Sequence, residues 1–276
     1  MRKTPNSGRF FALLLLLAAT GPTTLPMAAT DPPGLQKLDK PLRGKAAQAL
    51  GRSRVIVRGA NGVSSDELDS VIRGAGGNFC AGGDFDEVQR LRSEGSAALR
   101  SLFTSFHEAC EAIWRVPVPV VAAVEGVAMA GGFELMQAAD MVLLRDDARI
   151  ADNHINFGMI PGGGSTVRLP RIVGRQAALG LLLSGERLSG TDAVARGLAY
   201  QSFAPADFDE GVETFLARLA GRDRDSVITI KRLVNEGLEH PIGQALADET
   251  DAVVKRICGQ TGDDGVVAFK NREVRA

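Results

Sequence analysis

Two adjacent glycines, Gly131 and Gly132, stand just before a carboxylate, Glu134, where an apolar run gives way to a helical pattern. The run at 119–124 predicts a buried strand, and residues 133–139 predict a helix. The first amides of a helix lack partners and lie at the positive end of its dipole, and glycine lets a ligand approach closely. The stretch therefore predicts backbone amides that hold a developing oxyanion while Glu134 acts on the bound group.

The same residues also allow a purely structural interpretation. Gly131 and Gly132 would then only permit close packing, and Glu134 would only offset the helix dipole. One glycine-rich turn does not decide between the two interpretations.

Two further glycine-rich segments bear on this choice. Residues 74–84 follow a short predicted strand at 70–73, and residues 162–165 read Gly-Gly-Gly-Ser. The glycine spacing in 74–84 excludes a dinucleotide fingerprint, and no Gly-Lys-Ser/Thr ending marks a phosphate-binding P-loop.

The elements that must position these loops suggest an α/β protein. Residues 85–114 predict one or two amphipathic helices, with a break at Gly95 and with His107 at the surface. Ser189 caps a short helix that runs to Arg196. Strands are also predicted at 54–58 and 141–144, and helical patterns at 166–183, 208–220, 225–238, 242–258 and 264–272.

Composition excludes several classes of protein. The chain has 276 residues and a formal net charge of −1, and no basic cluster interleaved with aromatic residues predicts nucleic-acid binding. The three cysteines, Cys80, Cys110 and Cys258, are widely spaced and form neither a metal pattern nor a disulfide framework. We expect them to be free thiols.

Residues 1–29 have the pattern of an export signal, with basic residues before a ten-residue apolar run at 10–19 that is too short to span a membrane. A mispredicted gene start is the alternative, because three unpaired cysteines are unusual in an exported protein.

Three segments together resemble the crotonase (enoyl-CoA hydratase/isomerase) superfamily. They are Phe79-Cys-Ala-Gly-Gly-Asp84, Ala122-Ala-Val-Glu-Gly-Val-Ala-Met-Ala-Gly-Gly-Phe-Glu-Leu135 and Phe157-Gly-Met-Ile-Pro-Gly-Gly-Gly-Ser-Thr-Val-Arg-Leu-Pro170. Their order and spacing agree with that family's motifs, and the resemblance extends from about residue 70 to residue 272. It divides the chain into a signal or false start at 1–29, a poorly matched segment at 30–69, a crotonase core at 70–204 and a helical region at 205–276.

The resemblance implies a spiral of ββα units followed by helices, and assembly as a homotrimer or hexamer. It implies a coenzyme A thioester as the substrate and no other cofactor, which favours a cytoplasmic location over export. The amides of Gly83 and Gly131 would form the oxyanion hole. Residues Ala81, Gly82, Gly83 and Asp84 would line the side that binds coenzyme A.

Two departures from the family pattern are clear. Hydratases of the family place two glutamates around a water molecule; the first matches Glu134, but His154 occupies the second position. A histidine can still act as acid or base near neutral pH, and Asp152 could orient it or act itself. The family's N-terminal Arg-Pro-x-x-x-Asn-Ala loop is not found in 31–69.

These observations favour an acyl-CoA-processing enzyme, with Glu134 and His154 as its catalytic residues and enoyl-CoA hydration as the leading reaction. Isomerisation would need only Glu134, and thioester hydrolysis is a further alternative. The alternative outside catalysis is a family member that binds acyl-CoA but has lost the chemistry.

Overall fold

A computed structural model describes residues 56–59, 70–74 and 76–259, together with positions 265, 267 and 270. The predicted export signal and most of the segments at 30–69 and 264–272 lie outside the described residues. Contacts divide the chain after Gly221 into two compact units. No helix among the described residues is both long and apolar enough to cross a membrane.

The first unit contains all of the described strands. They are β1 (Ile56–Gly59), β2 (Ser70–Arg73), β3 (Val120–Val124), β4 (Val127–Met129), β5 (Met141–Arg145), β6 (Arg149–Ala151) and β7 (Gln201–Phe203). One sheet has the order β1-β2-β3-β5-β7, in which β1 is antiparallel to β2 and the other neighbours are parallel. The second sheet is the parallel pair β4 and β6. This is the crotonase-like arrangement that the resemblance predicted.

Among the described residues of the first unit, seven helices connect or cover these strands. They are α1 (Phe85–Glu94), α2 (Ser96–Arg115), α3 (Gly131–Met136), α4 (Ser165–Val173), α5 (Arg175–Ser184), α6 (Gly190–Ala195) and α7 (Phe208–Ala220). A 3-10 helix covers His154–Phe157. The second unit contains α8 (Arg224–Gly237) and α9 (Ile242–Ile257).

Strand β3 lies at the centre of the core, since all five of its residues are buried. Its side chains alternate between the two faces, as the strand period requires. Ala122 and Val124 pack in one cluster with residues of α2, and Val121 and Ala123 pack in another with residues of α7. This buried strand ends immediately before the segment that carries Gly131 and Glu134.

Most of the predicted elements are confirmed, including the break at Gly95 and the exposed His107. The helical pattern at 166–183 is two helices, because Gly174 adopts a left-handed φ of 79° between α4 and α5. Strands β4, β6 and β7 were not predicted. Each has only three residues, too few to show a period.

Candidate active site

The loop at 79–84 is joined to the segment around β4 by backbone hydrogen bonds. Phe79 N donates to Glu125 O, Cys80 N to Val127 O, and Met129 N to Cys80 O, each at 3.0 Å. Glycine is required at Gly132, because a Cβ atom there would lie 2.0 Å from the carbonyl oxygen of Cys80. These contacts bring the first glycine-rich loop against the start of α3.

Gly83 and Gly131 consequently lie side by side. A Cβ atom built on Gly131 would lie 3.9 Å from the amide nitrogen of Gly83. Neither amide donates to another group within the part of the chain that the structure describes. Two neighbouring unpaired amides can donate together to a single oxygen atom.

Ala130, which precedes Gly131, has a φ of 49° and a ψ of −119°. A positive φ is uncommon for a residue with a Cβ atom, and such strained residues cluster at functional sites. Its backbone is held on both sides, since Ala130 N donates to Ala151 O and Ala130 O accepts from Glu134 N, both at 3.0 Å. The strained turn therefore sets the direction of the chain as it enters α3.

Glu134 is only 2% exposed, and one of its carboxylate oxygens is fully engaged. Oε1 accepts hydrogen bonds from the amide of Gly163 at 2.6 Å and from that of Ser165 at 3.2 Å. Burial raises the pKa of Glu134, while the two amides and His154 oppose that rise. The second oxygen, Oε2, accepts neither of these bonds.

His154 is held by Asp152. Its Nδ1 lies 2.6 Å from Oδ1 of Asp152, which is 3% exposed, and Asp152 Oδ2 has no partner among the described residues. Burial opposes the charge on the ring, but Asp152 and the more distant Glu134 outweigh it, so the pKa of His154 is raised above its usual value. Nδ1 is thus occupied by Asp152, and Nε2 is the second ring nitrogen.

One cavity of about 320 Å³ joins these groups. Gly83, Gly131, Glu134, His154 and Ala81 all line it. Its remaining lining is mainly apolar and consists of Phe85, Val88, Leu102, Phe103, Phe106, Ala130, Asn153, Phe157, Met159 and Ile160.

Two of the residues predicted to line the coenzyme A side are not among the lining of this cavity. Asp84 caps α1, where its Oδ1 accepts from the amides of Asp86 at 3.0 Å and Glu87 at 3.3 Å. Gly82 has a φ of 109°, and a Cβ atom there would lie 3.1 Å from that of Ala130.

The hydrogen-bond partners of Glu134 were not predicted from the sequence. Gly163 and Ser165 lie about thirty residues away in the chain. The run of glycines at 162–164 and the family resemblance of 157–170 marked their segment, but neither pattern paired it with the carboxylate. Nor was it predicted that Phe103 and Phe106 line the cavity, although both belonged to the predicted apolar face of α2.

Comparison with known proteins agrees with this fold. The family model for enoyl-CoA hydratase/isomerase matches residues 67–274. A probable enoyl-CoA hydratase of Rhodobacter capsulatus is 30% identical over 240 residues, which cover 86% of this chain and 88% of the relative. A crotonyl-CoA hydratase of Syntrophomonas wolfei is 29% identical over 233 residues, or 82% and 88% of the two chains.

A solved structure shows the same fold. The enoyl-CoA hydratase of Polaromonas sp. JS666 superimposes with a TM-score of 0.71 at 31% identity, and the match covers 74% of this chain and 80% of that one. The chain belongs to the enoyl-CoA hydratase/isomerase family of the crotonase superfamily.

Proposed function

We propose that this protein is an enzyme that adds water to the double bond of a 2-enoyl-CoA thioester. The observation that carries the proposal is that Glu134 and His154 line one cavity with Gly83 and Gly131. A carboxylate that accepts a proton, a protonated imidazole that donates one, and two amides for an oxyanion are the groups that hydration requires.

The thioester carbonyl would accept hydrogen bonds from the amides of Gly83 and Gly131, which stabilise the negative charge that develops as water attacks. The water oxygen bonds to C3 while Glu134 takes a proton from it. The enolate then collapses, and C2 takes a proton from Nε2 of His154. A proton passing from Glu134 to His154 restores the starting state, so one water is added without any oxidation or reduction.

The raised pKa of His154 supports its role as the acid of this pair, because the imidazole stays protonated at higher pH than usual. The two hydrogen bonds that Oε1 accepts support Glu134 as the base, since the amide donors stabilise its carboxylate form. His154 would thereby replace the second glutamate of the family with a group of opposite charge.

The cavity lining supports an uncharged, apolar acyl group as the substrate. Phenylalanines at 85, 103, 106 and 157 line it, and a carboxylated acyl chain would meet Glu134 there. Coenzyme A enters as part of the substrate, and the scheme requires no other cofactor. The name of the crotonyl-CoA hydratase relative is consistent with a short acyl chain.

We also propose that the protein assembles as a homotrimer or hexamer. Both helices of the second unit expose large apolar side chains: Ile230, Val234, Ile242, Leu246, Val253, Val254 and Ile257. Such surfaces are typical of contacts between subunits. Light scattering on the purified protein measures the assembly directly, and a monomer at micromolar concentration would contradict it.

The catalytic proposal is tested by following the loss of the conjugated thioester in a panel of 2-enoyl-CoA substrates. The variants Glu134→Gln and His154→Gln should each slow hydration by at least about a hundredfold. His107→Gln, on the exposed face of α2, should retain the wild-type rate. Full activity of Glu134→Gln would remove the proposed base from the mechanism.

A second function is favoured by the single carboxylate among the lining residues. A glutamate with an oxyanion hole can move a double bond by removing a proton and returning it to another carbon, without a second acid. Isomerisation predicts that His154→Gln retains activity while Glu134→Gln loses it.

A further inference from the structure

Arg168 lies in α4 and reaches back to the loop that holds Glu134. Its Nη1 donates a 2.6 Å hydrogen bond to the carbonyl oxygen of Gly163. The amide of the same Gly163 donates a 2.6 Å hydrogen bond to Oε1 of Glu134. Gly163 is therefore held at its carbonyl by a guanidinium group and at its amide by the carboxylate.

The loop needs such an anchor because residues 162–164 are three consecutive glycines, which have more conformational freedom than any other sequence. Neighbouring side chains also leave no room for a Cβ atom on Gly163 or Gly164. A Cβ atom on Gly163 would lie 1.9 Å from Cε1 of Phe106, and one on Gly164, where φ is 116°, would lie 2.2 Å from Nη1 of Arg168.

A second anchor lies on the other side of the carboxylate. Ser165 donates its amide to Glu134 Oε1, and its hydroxyl oxygen accepts from Nε2 of Gln137 at 3.0 Å. Gln137 Nε2 also donates to the carbonyl of Phe133 at 2.9 Å. These bonds fix Ser165 to α3, whereas Gly163 is fixed by Arg168.

We propose that Arg168 is a positioning residue for catalysis, which acts through Gly163 to keep Oε1 of Glu134 engaged and Oε2 available to the reacting water. The inference rests on the proposed role of Glu134 as the base. Arg168 carries a charge, but it acts through the backbone of Gly163.

Loss of Arg168 should raise the pKa of Glu134. The charged or titratable groups that face Glu134 are His154, Asp152 and the thiol of Cys110, and the Gly163 amide is one of the two donors that lower its pKa. When Arg168 is lost, the Gly163 bond weakens and the pKa of Glu134 rises further. The base is then protonated at higher pH, so the acid limb of the rate profile moves upward.

The experiment measures kcat and KM for the hydration of a 2-enoyl-CoA as a function of pH, with the variants Arg168→Gln, Arg168→Lys and Arg171→Gln. Arg171 is a matched control, because its Nη1 donates to the carbonyl of Val167 at 2.7 Å on the exposed face of the same helix. Arg168→Gln should lower kcat at least about tenfold, because misplacement of a catalytic group is costly. KM should stay within about a factor of two, since Arg168 is not among the residues that line the cavity.

The kcat of Arg168→Lys should lie between those of Arg168→Gln and the wild type, and the kcat of Arg171→Gln should equal that of the wild type. If Arg168→Gln does not fold, as judged by its melting curve, Arg168→Lys alone decides the question. An acid limb that stays in place in the folded variants overturns the inference, even if kcat falls. Glu134→Gln is measured alongside: if it retains activity, the proposed function fails first, whereas an inactive Glu134→Gln with an unmoved limb refutes only the role of Arg168.

Discussion

Asp152 and His154 form a partly buried pair at the edge of the cavity, with 2.6 Å between Oδ1 and Nδ1. The contact occupies one ring nitrogen, and the other, Nε2, is the one that the proposed mechanism uses. The contact also explains how a histidine can stand where family hydratases have a glutamate. The buried carboxylate raises the pKa of the imidazole, which supports the role of acid that we propose for His154.

Asp152→Asn should lower the pKa of His154, because the carboxylate that raises it is removed while the burial that lowers it remains. The chain has three histidines, so ring titrations by NMR are readily resolved. Asp248→Asn is the matched control, since Asp248 contacts His240 at 3.0 Å at an exposed site. It should leave the titration of His154 unchanged. An unchanged pKa of His154 in Asp152→Asn would contradict the pairing.

The pH dependence of kcat/KM should be bell-shaped, because the scheme needs Glu134 ionised and His154 protonated. The pKa of Glu134 is raised, so activity should be lost on acidification at a higher pH than for an ordinary glutamate. The pKa of His154 is also raised, so the alkaline limb should lie above the ordinary histidine range. An alkaline limb that persists unchanged in His154→Gln would contradict its assignment to His154.

Gly163→Ala should abolish most activity. The added methyl would meet Phe106 Cε1 at 1.9 Å and Glu134 Oε2 at 2.8 Å, so the carboxylate must move. Overpacking of this kind costs about 1–3 kcal/mol of folding free energy, which denaturant unfolding measures. Gly180→Ala is the control: no atom lies within 4 Å of the new methyl in α5, so stability should rise by up to about 1 kcal/mol. Equal effects of the two substitutions would refute the steric argument.

Ser189→Ala should destabilise the first unit by about 1 kcal/mol through loss of the cap on α6. Ser189 accepts from the amide of Asp192 at 3.1 Å, and Asp192 accepts from that of Ser189 at 3.1 Å, which forms a capping box. Thermal unfolding measures the change. Ser93→Ala removes only a side-chain bond to the carbonyl of Arg90 and should have little effect. A melting temperature unchanged by Ser189→Ala would rule out the cap as a source of stability.

The local elements could be predicted because their causes are local. The apolar run of β3, the break at Gly95 and the cap at Ser189 are each set by neighbouring residues. The contacts that build the site are not local. Glu134 and Gly163 are 29 positions apart in the sequence. Helices α1 and α2 both lie between Cys80 and Met129, whose backbones are hydrogen-bonded. A single sequence carries no pattern for such contacts, so only the motif resemblance indicated that these loops meet.

The role of Asp152 could not be predicted from the sequence either. Its separation of two residues from His154 suggested that it could orient the ring, but spacing alone could not distinguish this from direct action. The 3% exposure of Asp152 and its absence from the cavity lining favour the orienting role. The burial and the orientation of the Asp152 side chain depend on the fold, so the sequence alone does not predict them.

The most direct test of the central claim is mass spectrometry of enoyl-CoA thioesters incubated with the purified protein in heavy water. Hydration predicts one added water, with a hydroxyl on C3 and one deuterium on C2, at a rate that Glu134→Gln reduces at least about a hundredfold. Deuterium uptake without added water would instead indicate isomerisation. Thioesters that bind but remain unchanged would contradict the catalytic account.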